Sequence, residues 1–182
     1  LRLLLWSALA CGSALDAVAS RYEHLFPENL TIGGQVLERK GVSKLTVGYV
    51  FDVYVAAFYQ PAGSGPDRAL ADEPRHLELY YLRNIDRADF ISAADDMLAK
   101  QHDAATIRAI QPGIERINPL YSDVKKTDRY SLTYLPGTGT ELKYNGESKG
   151  VIEGAEFARV YFSIWLGEKN PYKKFRDGLV GP

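Results

Sequence analysis

The stretch VFDVYVAAFY, residues 50–59, decides how this chain is read. Its Val, Tyr and Phe content marks a β-strand. Alternate side chains of a strand point to opposite faces. Phe51, Val53, Val55, Ala57 and Tyr59 then share one face, and Val50, Tyr54, Ala56 and Phe58 share the other, with Asp52 as the only charge. Both faces are apolar. Such a strand needs cover on both sides, from more protein or from a ligand.

The flanking sequence supplies a sheet for it. NLTIGGQVLERKG (29–41) reads as a hairpin turning at Gly33-Gly34. QPAGSGPDRALADEP (60–74) is a loop with a short helix opening at Pro66. In RHLELYYL (75–82), Leu77, Leu79 and Tyr81 alternate with His76, Glu78 and Tyr80. From Asp86, a predicted N-cap, the period turns helical through Phe90, Ile91, Ala94, Met97 and Leu98. A second helical stretch carries Ile107, Ile110, Ile114, Ile117 and Leu120, and Pro112 predicts a kink or two short helices within it. Strands return over 128–154, with Asn145-Gly146 as a second hairpin turn. GAEFARVYFSIWLG (154–167) is apolar nearly all round and reads as a buried helix stopped at Gly167; Asn170-Pro171 then predicts the cap of a last short helix. Strands, helices, strands, helices: that order favours α+β, an antiparallel sheet with helices gathered against it.

Composition narrows the function. The chain has 182 residues and a formal net charge of −1, which suits one domain and gives no basic stripe for a nucleic acid. Its 12 Tyr suit half-buried sheets and pocket walls, because the ring is apolar and the tip polar. Cys11 is the only cysteine, so no intramolecular disulfide can form. His24, His76 and His102 lack metal-ligand spacing, and no metal or other cofactor is expected. PGTGT (136–140) lacks the Lys-Ser/Thr of a phosphate loop and reads as a turn.

The N-terminus reads as an export signal over residues 1–19, with the domain over 20–182. Arg2 precedes an apolar run from Leu3 to Ala10, and AVA (17–19) has the small-x-small pattern of a cleavage site before Ser20. A short buried helix and a lipoprotein signal at Cys11 are the alternatives. The apolar run is too short to span a bilayer. A periplasmic or secreted location is therefore expected, with no transmembrane segment.

FPENLTIGGQVLERKG, FDVYVAAFYQP, LELYYLRNIDRADF, KTDRYSLTYLPGTGTELKYNGE and GAEFARVYFSIWLGEKN follow one another in an order that resembles bacterial chalcone-isomerase-like proteins. The resemblance covers residues 25 to the end. It implies an open-faced β-sandwich: a large antiparallel sheet with a layer of helices on one face and a cleft between them. It also implies a choice of functions, since plant members close chalcones into flavanones while others bind fatty acids without catalysis. The plant catalytic residues carry over badly. Lys44, with Arg39 next, stands nearest the place of their Arg. Tyr54 replaces a Thr in the strand. Residues 84–102 contain no Tyr where theirs opens a helix; Arg87 or Phe90 stands nearest.

No catalytic residue is assigned. The expected role is binding a small apolar or carboxylate-bearing ligand such as a fatty acid, with Lys44, Arg39 and Arg83 as anion partners and Tyr54 as a hydroxyl donor. The alternatives are an isomerase or intramolecular lyase on another substrate, and an interaction domain. An open cleft where a basic group and a hydroxyl converge favours a ligand; a cleft filled by Phe and Leu favours interaction.

Overall fold

A computed structural model of the chain describes residues 21–181 except Tyr49. The expected export signal and cleavage site, and Cys11, lie outside the described residues.

Among the described residues, seven strands form one sheet in sequence order, each pair antiparallel: β1 Asn29–Ile32, β2 Gln35–Val47, β3 Phe51–Pro61, β4 Arg75–Tyr81, β5 Arg129–Leu135, β6 Gly139–Tyr144 and β7 Glu147–Ile152. Helices α1 (Arg87–Gln101) and α2 (Ala104–Ile117) connect β4 to β5; α3 (Ala155–Leu166) and α4 (Lys173–Val180) follow β7. All four helices contribute to a core on one face of the sheet. This is the α+β architecture expected.

The turns obey their residues. Gly33, Gly34, Asn145 and Gly146 all have positive φ, the geometry two-residue hairpin turns require. Pro66 opens a short 3₁₀ turn, Pro66–Arg68.

Three local expectations are corrected. Pro112 does not divide the segment into two short helices: α2 is continuous through it, since one missing N–H removes one rung while Ile110, Ile114 and Ile117 hold the helix to the core. Asp86 precedes α1 but makes no side-chain cap; the Arg87 N–H donates instead to Asp123 Oδ1 at 2.8 Å. Asn170 does not open the last helix, which begins at Lys173. Its Nδ2 donates to the Ile164 and Trp165 carbonyls, so it closes the end of α3.

The two faces of β3 meet different cover. Leu45, Tyr54, Ala56 and Phe58 lie under the helices. Val55, Ala57 and Tyr59 lie on the outer face with Phe26, Leu37 and Val42. There the cover is the segment before β1: the Tyr59 hydroxyl donates to the Pro27 carbonyl at 2.9 Å, and Arg39 donates to the Glu23 and Phe26 carbonyls. Helix α4 presses directly on β2, where a Cβ on Gly41 would collide with the Gly178 carbonyl.

Candidate functional site

Register decides where the four sequence-predicted ligand residues go. Leu45 pairs with Tyr54 and Lys44 with Val55. Tyr54 therefore faces the helices and Lys44 the outer face. The two do not converge, and this corrects the expectation that they share one ligand end. Lys44 is instead ion-paired to Asp52 at 2.6 Å, which holds the Asp52 carboxyl below its ordinary range. Arg39 is used by the carbonyls of Glu23 and Phe26. Arg83 lies over the Phe51 ring, 5.2 Å from its centroid. Each cation has a structural partner, and none reaches Tyr54.

The helix face carries a tyrosine cluster instead. The Tyr54 hydroxyl accepts a hydrogen bond from Trp165 Nε1 at 3.1 Å. Its ring packs edge-on against Tyr81 and Phe175 at 5.7 and 5.8 Å. Tyr81 meets Tyr130, and Tyr130 meets Tyr121. The Tyr121 and Tyr161 hydroxyls share a 2.9 Å hydrogen bond. The Tyr81 hydroxyl is fully buried and has no partner among the described residues. Burial raises the pKa of Tyr54, Tyr81, Tyr121 and Tyr161, so all four are neutral hydroxyls at any physiological pH and none is poised as a base.

Beside this cluster lies an apolar gap lined by Leu77, Leu79, Leu132, Leu142, Phe90 and Trp165. It is closed, and too narrow to admit a water molecule. The expected sheet–helix cleft is thus filled in this conformation. Its cover is uneven. The first two turns of α1, residues 87–93, bury no side chain, and the buried positions begin at Ala94. Phe90, the one residue of those turns that lines the gap, is half-buried.

An open cleft of about 330 Å³ lies elsewhere, between the Pro66–Leu70 segment and the C-terminal ends of α1 and α3, with His102, Ser163, Lys169 and Arg176 in its walls. The His102–Ser163 pair is no nucleophile. The Ser163 hydroxyl donates to the Val160 carbonyl at 2.6 Å, so His102 Nε2, 2.7 Å away, is the donor to Ser163 and cannot take its proton. Burial and the neighbouring Arg159 and Lys169 lower the His102 pKa.

One residue went unnoticed in the sequence. Arg75 opens β4 and is completely buried. Its guanidinium is sandwiched between the Tyr134 and Phe162 rings, 4.7 and 4.8 Å from their centroids. The signal was present: the period that places Leu77, Leu79 and Tyr81 on one face places Arg75 there too.

Comparison with known proteins agrees with this architecture. No curated protein sequence matches the chain. The crystal structure of an Arabidopsis thaliana fatty-acid binding protein superposes with a TM-score of 0.64 at 17% identity, over 85% of this chain and 90% of that one. At that identity the likeness establishes the fold alone. The family model described as chalcone isomerase-like matches residues 22–181, and the chain belongs to that chalcone isomerase-like family.

Proposed function

We propose that the protein binds a small, mostly apolar ligand between its sheet and its helices, a fatty acid being the first choice, and does not transform it. One observation carries this reading: an apolar gap walled by Tyr130 lies one ring away from Tyr81, whose buried hydroxyl has no partner among the described residues. A buried polar group without a partner costs about 1–3 kcal/mol, and a ligand's polar end would offset that cost. The similarity of fold to a protein named for fatty-acid binding supports the same ligand class. The closed gap requires the N-terminal turns of α1 to lift, and these are the turns that bury least.

Ring closure of a chalcone is not favoured. Tyr54 serves as acceptor for Trp165, and Lys44 lies across the sheet from it. An isomerase acting on another substrate is the second reading, supported by the family alone. We place the ligand-binding domain outside the cytoplasm, on the strength of the export signal read over residues 1–19; N-terminal sequencing of protein from a secreting host should begin near Ser20.

The binding test is calorimetry of delipidated protein with fatty acids of eight to eighteen carbons, with Trp165 fluorescence recorded in parallel. Trp165 lines the gap and is the only Trp beyond residue 6, so its emission should change on binding. Absence of heat and of any emission change across the series would overturn the reading.

A further inference from the structure

Four buried side-chain atoms lack a hydrogen-bond partner among the described residues: Gln60 Oε1, Arg75 Nε, Tyr81 Oη and Thr140 Oγ1. Native proteins leave few such atoms, and each asks for a reason. Three of the four belong to one row across the helix face of the sheet. Arg75 pairs with Tyr134, and Tyr134 with Thr140; Gln60 stands beside Arg75, since the preceding pair is Tyr59 with His76.

Arg75 is the centre of that row. A buried cation ordinarily sits against a carboxylate. Two carboxylates are nearby in sequence, and both are taken. Asp72 accepts from the Tyr134 hydroxyl. Glu73 accepts from Arg68 through two nitrogens, at 3.1 and 2.7 Å, and from Gln60 at 3.0 Å. Neither lies within ion-pair distance of Arg75. The guanidinium is left with two rings, the Ala71 carbonyl at 2.6 Å and an unpaired Nε–H. Such a group offers a carboxylate a planar edge of N–H donors.

Its position suits the ligand already argued. Leu77, Leu79 and Tyr81 continue the face of β4 that begins at Arg75. Six residues of strand span about 20 Å, a length on the order of an extended long-chain acyl group. The chain would run from Arg75 over Leu77 and Leu79 into the gap, so that the ligand's polar end meets Arg75 in place of Tyr81. The segment over Arg75 is also a wall of the open cleft: Ala69 and Leu70 line the cleft, and the Arg68 and Ala71 carbonyls hold Gln60 and Arg75.

We propose that Arg75 is the carboxylate anchor of a long-chain fatty acid, which reaches it when the segment over residues 62–74 swings away from the open cleft and the carboxylate takes the guanidinium edge that carries the unpaired Nε–H. This inference rests on the ligand-binding reading above. It moves the anion site from Lys44, Arg39 and Arg83 to a guanidinium buried under the helices.

The test compares hexadecanoic acid with hexadecanol on delipidated protein. The wild-type protein should bind the acid at least tenfold tighter. Arg75→Met should bring the acid down to the level of the alcohol and leave the alcohol unchanged. If Arg75→Met does not fold, the wild-type protein decides: the Arg75 Nε–H resonance should shift with the acid and stay in place with the alcohol. Equal binding of both lipids, equal loss of both in Arg75→Met, or an unmoved Arg75 resonance would overturn the anchor while leaving ligand binding intact. Failure of both lipids to bind would overturn the ligand-binding reading itself, and the anchor with it.

Discussion

The two faces of one strand are covered in opposite ways. Beneath β3, helix α3 buries nine of its twelve residues, and the contact is almost wholly apolar. Above it, a short segment around Phe26 is fastened by polar ties: the Tyr59 hydroxyl to Pro27, Arg39 to two carbonyls, and the Arg129 guanidinium over the Phe26 and Tyr80 rings. A helix brings enough apolar area to stay by burial, at about 1.5–3 kcal/mol for each large side chain. A segment of six or seven residues does not, and side chains from the sheet must hold its backbone. The helix face should therefore fail through lost packing, and the outer face through lost hydrogen bonds or altered protonation.

Breaking the helix face should cost most. Trp165→Ala removes a buried indole and the donor to Tyr54, and should lower stability by about 3–5 kcal/mol in urea unfolding. A loss under 1 kcal/mol would mean that the helix layer is not held by packing.

The outer face should answer to pH. His76 is buried against Thr133, its Nδ1 2.8 Å from the hydroxyl, and burial lowers its pKa to about 4. The unfolded imidazole titrates near 6.5, so between these values the unfolded state binds more protons. Stability from this group is complete above about pH 6.5 and is lost as pH falls toward 4, by on the order of 3 kcal/mol. His76→Gln should flatten that part of the stability profile; an unchanged profile would assign the acid loss to carboxylates instead.

Arg39→Ala should cost about 1–3 kcal/mol, because the Phe26 carbonyl loses a charged donor. Hydrogen exchange should rise over residues 22–28 and stay unchanged in α3. Exchange rising equally in both would show that the two faces are not independent. Lys44→Ala should do least. Its pair with Asp52 is partly exposed, at 21% and 41% of side-chain area, and pairs of this kind contribute about 0–1 kcal/mol. A larger loss would give the β2–β3 end of the sheet a structural weight that the geometry does not suggest.

The candidate site was only half legible. Alternation placed Tyr54 with Ala56 and Phe58 on one apolar face of the strand, and that face lies under the helices. The pairing of Lys44 with Tyr54 did not hold, because β2 carries irregularities between Arg39 and Gly41 and between Leu45 and Thr46. Such a shift reverses which residues share a face, and nothing local in QVLERKGVSKLTV announces it.

The sequence by itself determined the kinds of elements, the two hairpin turns, the buried helix ending at Gly167 and the demand that β3 be covered on both faces. These rest on period and on the few residues that tolerate special backbone angles, which are properties of neighbours along the chain. Only the tertiary structure decided what covers each face, which cations are already partnered, and that Asp72 and Glu73 turn to Tyr134, Arg68 and Gln60, leaving the Arg75 guanidinium without a carboxylate among the described residues. Those outcomes depend on which donors distant segments bring within about 3 Å of an acceptor, and spacing along the chain does not encode that.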